Sequence, residues 1–223
     1  MRQIPLAIGV EAARTFDNYL PGANALAVAH LRALASQAAP VYLWGPSGTG
    51  KTHLLQALVE RFAAQGARAG WFDAADPAPW SFDEAWALVV IDDCDQLDAV
   101  QQHAAFAVFV EAATHGVPVA AAGRVPPTDL PLREDLRSRL GWGHVFAIRP
   151  LGEPEVRATL RRVADQRGIF LSDDVMDYLL TRFARDLKHL IGQLDRLDQF
   201  SLATKRTITV PLLKQMLVEE GAG

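Results

Sequence analysis

Two patterns of apolar and polar positions follow one another along the chain. Short apolar runs at 42–44, at Trp71 and Phe72, at 88–91, at 117–122 and at 144–148 alternate with longer stretches of helical period, at 53–62, 100–114 and 132–143. The run from Leu88 to Ile91 has no polar face, which is what a strand covered on both sides requires. Strands separated by helices build a parallel sheet with helices packed on it. In the stretch 100–114, Phe106, Phe109 and Val110 are expected to face that sheet. After Pro150 and Leu151 the strand pattern stops and four helical stretches follow, at 153–167, 172–183, 186–202 and 210–218. Ser172 and Asp186 stand where N-caps belong, and Pro211 fits a first helical turn. Leu187, Leu190, Ile191, Leu194 and Leu197 form one apolar stripe, read as core. The pattern predicts an α/β unit with a parallel sheet flanked by helices at 13–151 and a small all-α domain at 152–223, behind a leader at 1–12. Between leader and first strand, the cluster Thr15, Phe16, Asp17, Asn18, Tyr19 and a helical run at 23–35 are assigned to core packing.

The join between the first strand and its helix carries the most specific chemistry. Gly45, Pro46, Ser47, Gly48, Thr49, Gly50, Lys51 and Thr52 complete the pattern GxxxxGK[ST]. Small residues let successive backbone N–H groups turn inward around phosphate oxygens, and the helix that starts at His53 adds its own dipole. Lys51 brings a positive charge to the β- and γ-phosphates, and the Thr52 hydroxyl is a ligand for Mg2+. Asp92 and Asp93 end the buried strand, where carboxylates are costly without a cation. Asp92 is expected to hold Mg2+ through water and Asp93 to orient an attacking water, a role compatible with capping the next helix.

Composition narrows the rest. With 223 residues, half of them hydrophobic, the chain buries a sizeable core, and disorder is excluded. A net charge of −4 gives no global bias toward nucleic-acid backbones. Cys94 is the only cysteine, so no intrachain disulfide and no thiolate zinc site can form. No apolar run approaches a membrane span and no signal-peptide core opens the chain, so a cytoplasmic protein is expected.

Two further groups read ambiguously by pattern alone. In the leader, Gln3 is followed by Pro5, Leu6 and Ile8, an extended peptide suited to an apolar groove or else an unstructured end or edge strand. Arg133, Arg137 and Arg139 lie on one short helix, where arginines usually decorate a solvated face.

Taken together, Thr15 to Tyr19, GPSGTGKTHLL from Gly45, Ile91-Asp92-Asp93, SRLGWG from Ser138 and DLKHL from Asp186 resemble the AAA+ ATPase module of the DnaA family of bacterial replication initiators. The chain is similar to the family's short regulatory-inactivator branch, which lacks the DNA-reading domain and opens with a clamp-binding peptide. That resemblance implies a P-loop AAA+ fold with a helical lid and ADP or ATP with Mg2+ between them. It also implies nucleotide contacts from residues 45–52, His53 and Lys188, and an arginine finger at Arg139 acting on a neighbour's γ-phosphate. Gln3, Leu6 and Ile8 correspond to the peptide that binds the DNA polymerase III β sliding clamp. DnaA itself is the second implied partner, DNA contact is indirect or weak, and self-association is compatible with the family.

Two residues depart from the family pattern. Gly123 stands where a polar sensor is expected, so intrinsic ATP hydrolysis should be slow; Lys188 keeps the charge of the usual lid arginine but loses its bidentate fork. The expected function is ADP-form inactivation of clamp-proximal DnaA by promoting hydrolysis of its ATP. The alternative is an independent AAA+ ATPase that remodels a replication partner, as a helicase loader does; a small-molecule kinase fits poorly, because its lid would interrupt the α/β unit.

Overall fold

The computed structural model describes residues 13–183 and 187–221. Two compact units divide at Arg149 and Pro150. In the first, five parallel strands form one sheet in the order β2-β3-β4-β1-β5: β1 (Val41–Trp44), β2 (Arg68–Phe72), β3 (Trp86–Ile91), β4 (Val119–Gly123) and β5 (His144–Ala147). The helices are α1 (Ala25–Ala33), α2 (Lys51–Ala63), α3 (Ala99–Thr114) and α4 (Glu134–Trp142). β1 sits between β4 and β5, with Trp44 level with Gly123, and β3 flanks β4, with Ile91 level with Ala121. The carboxyl ends of β1, β3 and β4 therefore lie side by side, which is where α/β sheets bind ligands.

Burial explains the strand composition. Leu88, Val89, Val90 and Ile91 are all buried, as are Ala120, Ala121 and Ala122, because the sheet carries a separate apolar cluster on each face. Leu43, Leu54, Leu58 and Leu31 fill one cluster; Tyr42, Val108, Phe109 and Leu136 belong to the other. The α3 face differs from the pattern reading. Ala105, Val108, Phe109 and Ala112 are buried, whereas Phe106 and Val110 are only half-buried. Small alanines bring α3 close to the sheet, and Phe106 is turned toward α4, where it meets two arginines.

The described residues of the second unit form the helices α5 (Glu153–Gln166), α6 (Asp173–Arg182), α7 (Leu187–Thr204) and α8 (Val210–Gly221). The Ser172 hydroxyl accepts the Val175 amide at 3.4 Å, as its N-cap position requires. Leu190, Leu194 and Leu197 are fully buried among Leu160, Leu179 and Leu212, with Leu187 and Ile191 packed at the edge. Gln3, Leu6, Ile8 and Asp186 lie outside the described residues, as does the Lys188 side chain.

Candidate nucleotide site

β1 runs into the glycine loop and the loop into α2, and local sterics explain each glycine that matters. A Cβ on Gly45 would fall on the Ile148 carbonyl oxygen. Gly50, at φ +89, is the left-handed residue that starts α2, and a Cβ there would stand 2.7 Å from the Tyr19 ring. The first backbone bond of the helix runs from the Leu54 amide to the Gly50 carbonyl at 3.0 Å. The amides before it therefore have no intrahelical acceptor and point out of the helix start. The Thr49 hydroxyl donates to the Pro46 carbonyl at 2.9 Å and keeps the loop turned. Lys51 is buried, and its ammonium donates to the carbonyls of Gly45 and Pro46 at 2.8 and 3.0 Å. Burial lowers its pKa, while Asp92, Asp93 and Asp95 act in the opposite direction.

The acidic strand end lies within reach of this loop. Asp92 is buried, and its carboxylate accepts the Asp93 amide at 2.9 Å. Burial raises its pKa most, and the Thr52 hydroxyl and the Asp93 amide oppose that shift. Thr52 and Asp92 are thus brought together, a hydroxyl beside a buried carboxylate. Asp93 adopts φ +46, costly by about 1 kcal/mol for a residue with a Cβ, and it stands at the N-cap of the 3-10 turn Cys94–Gln96 without a side-chain capping bond. The carboxylate is therefore not used as a cap. Among the described residues no three His, Cys, Asp or Glu converge on one ion. The donor set suits Mg2+, which takes a hydroxyl, one carboxylate through water and phosphate oxygens in place of an all-protein cage.

His53 does a different job from its neighbours. Its Nε2 lies 2.9 Å from the Thr15 carbonyl and its ring packs against Tyr19 at 5.3 Å, so the side chain ties α2 to the segment ahead of α1. Burial lowers its pKa below 6.5, the Thr15 carbonyl opposes this, and Arg14 lowers it further. The folded state resists a proton that the unfolded chain accepts. This contribution to stability is whole above pH 6.5 and is lost as pH falls toward the folded pKa. His53→Gln, which can still donate to Thr15, is expected to flatten the fall in thermal midpoint between pH 7 and 5; superimposable curves would refute the assignment.

Several residues at the site went unread in the sequence. The Tyr19 hydroxyl donates to the Thr49 carbonyl at 3.4 Å. Buried Asn24 holds both backbone groups of Arg149, donating to its carbonyl at 2.9 Å and accepting its amide at 2.8 Å. At the exit of β4, the Tyr42 hydroxyl donates to the Val125 carbonyl at 2.9 Å and fills the space that a Cβ on Gly123 would need. Arg139 lies on α4, where its guanidinium stacks over Phe106 at 5.2 Å and Phe109 at 5.8 Å.

The family models agree with this arrangement. Residues 10–69 match the bacterial DnaA ATPase domain, and residues 153–217 match the lid domain of Hda. The chain is an Hda-like, DnaA-related AAA+ protein. The fold of this Hda-like protein is similar to domain III of the replication initiation protein DnaA from Thermotoga maritima, 19% identical, with a TM-score of 0.77 over 93% of this chain and 97% of that one. It is similar to AMPPCP-bound DnaA from Aquifex aeolicus, 22% identical, at a TM-score of 0.70 over 85% of this chain and 66% of that one. The RuvB Holliday junction branch migration motor of Thermotoga maritima shares the fold at 16% identity and a TM-score of 0.60, over 80% of this chain and 60% of that one. The chain covers 64% of the length of a crystallised DNA replication initiation factor that it also matches. At these identities the likeness carries the fold. No helix among the described residues is long and apolar enough to cross a membrane.

Proposed function

We propose that this Hda-like protein binds an adenine nucleotide with Mg2+ at the glycine loop and acts as a regulator that switches off the replication initiator DnaA. The observation that carries the reading is the pairing of a DnaA-type nucleotide unit, its loop and acidic strand end flanking β4, with a lid of the Hda family in one chain. The amides of 47–52 and the Lys51 ammonium hold the phosphates, and Lys188 adds a further positive charge for them. Thr52 and Asp92 hold Mg2+, which when bound neutralises phosphate charge. Asp93 orients water, but at Gly123 there is no side chain to polarise it, so turnover is slow and the ADP form persists.

In this reading Arg139 works in trans, placing its planar fork on the γ-phosphate of ATP held by DnaA. Gln3, Leu6 and Ile8 dock on the DNA polymerase III β sliding clamp, so that the protein acts in the cytoplasm only where clamp is loaded on DNA. The experiment follows labelled ATP pre-bound to DnaA as the ADP form of this protein is added with DNA-loaded clamp. Faster conversion to ADP is expected, and the double variant Leu6→Ala, Ile8→Ala should lose it together with clamp retention while keeping nucleotide binding. No acceleration, with clamp binding intact, would sink the reading. The complete set of Lys51, Thr52, Asp92 and Asp93 favours a second reading, an independent ATPase that remodels a replication partner. Its mark would be rapid ATP turnover by the purified protein alone.

A further inference from the structure

Arg124 is the first residue past β4, and the loop glycine Gly45 donates its amide to the carbonyl of the residue before it, Gly123, at 3.3 Å. It therefore leaves the sheet beside the start of the glycine loop, at the edge where Asp92 and Asp93 end β3. Asp95 fixes it there. The Asp95 carboxylate accepts the Arg124 amide at 2.9 Å with one oxygen and the Arg124 Nε at 2.5 Å with the other. The two ends of the pair differ in exposure: the Asp95 side chain is 6% exposed and that of Arg124 55%. The buried acid anchors the inner edge of the guanidinium, and neither Nη is in a hydrogen bond among the described residues. A guanidinium held through Nε presents its remaining N–H groups in one plane, the arrangement that matches two oxygens of a phosphate.

The surrounding charges point the same way. Arg124 is close enough to Lys51 and Asp93 to act on both, repelling the ammonium and attracted to the carboxylate. An anion between two cations turns their repulsion into two attractions. Gly123 cannot supply a polar group at this edge, since the Tyr42 hydroxyl and the Asp95 carboxylate occupy the room.

We propose that Arg124 is a cis contact to the outermost phosphate of a nucleoside triphosphate bound at the glycine loop, with Asp95 as its positioning residue. The inference rests on the proposed nucleotide site and deepens it: the loop binds the phosphates common to ADP and ATP, and Arg124 reads the third.

The test measures affinity of the full chain for fluorescent ADP and for a fluorescent non-hydrolysable ATP analogue, both with Mg2+. Arg124→Gln is expected to weaken the triphosphate about 10-fold or more and the diphosphate by less than about 3-fold. Asp95→Asn should cause a smaller loss confined to the triphosphate, because the contact survives but is no longer held in place. A purely structural ion pair predicts otherwise, with a lowered thermal midpoint and parallel or absent changes for the two nucleotides; either result overturns the inference while leaving the nucleotide site standing. If the wild type binds neither nucleotide, the proposed site falls and Arg124 with it. Should Arg124→Gln fail to fold, Arg124→Lys keeps the charge but replaces the fork by a point, and the same ratio decides.

Discussion

An Arg139→Ala variant is expected to lose the acceleration of ATP hydrolysis on DnaA by about 10³-fold, the lower end of what a trans arginine supplies to phosphoryl transfer. The surroundings of Arg139 are compatible with that proposed role. Arg139 stacks on Phe106 and Phe109, and no shorter-range ion pair among the described residues holds it. Such a stack is worth about 0.5–1 kcal/mol where solvent reaches it, against about 4 kcal/mol for a 10³-fold effect on rate. Leaving the aromatic seat for a γ-phosphate therefore costs little of what it gains. Arg139→Lys should recover only a small part of the rate, because a point charge cannot span two phosphoryl oxygens. The readout is the rate of ADP formation from labelled ATP on DnaA with DNA-loaded clamp. Undiminished stimulation by Arg139→Ala would point instead to Arg137 on the same helix or to Arg133 at its N-cap.

Putting a polar side chain back at position 123 is expected to damage the fold without restoring hydrolysis. Gly123→Asp should lower stability by about 2–4 kcal/mol in urea denaturation, with no rise in ATP turnover. Its Cβ would fall on the Tyr42 hydroxyl oxygen and stand 3.2 Å from the Asp95 carboxylate, adding a charge beside three existing acids. Tyr42 cannot retreat: it is fully buried and its hydroxyl satisfies the Val125 carbonyl. Removing the hydroxyl in Tyr42→Phe, Gly123→Asp should return part of the stability but leave that carbonyl short of a donor, a deficit of about 1–3 kcal/mol. A single variant as stable as the wild type would show that the strand end can yield. The absence of a sensor side chain at this position is thus coupled to a tyrosine 81 positions earlier in the chain, not to residue 123 alone.

That coupling marks the boundary of what could be read from sequence. The glycine loop was legible because phosphate binding by consecutive amides requires consecutive residues, and Asp92 was legible because it ends a run with no polar face. The alternation of strand and helix, and its end near Pro150, gave the fold class for the same local reason. Contacts made across long separations left no such trace. Tyr19 meets Thr49 across 30 residues, Asn24 holds Arg149 across 125, and Asp95 holds Arg124 across 29. The cluster from Thr15 to Tyr19 was read as core, yet only Phe16 is buried there; Tyr19 and the Thr15 carbonyl instead brace the loop and its helix. The face of α3 was misjudged by one position for a related reason. Periodicity shows that Phe106 is apolar but not that a cation from α4 will cover it.

Cys94 follows directly on the two acids. It is the only thiol in the chain, almost wholly buried, its Sγ donating to the Ile91 carbonyl at 3.3 Å and its pKa driven up by burial. A thiol in that state does not react while β3 keeps its place. Alkylation then proceeds only through openings of the strand end that carries Asp92 and Asp93, so its rate is a clock for how often that edge of the sheet comes apart, and whatever ligand holds the edge closed must slow it.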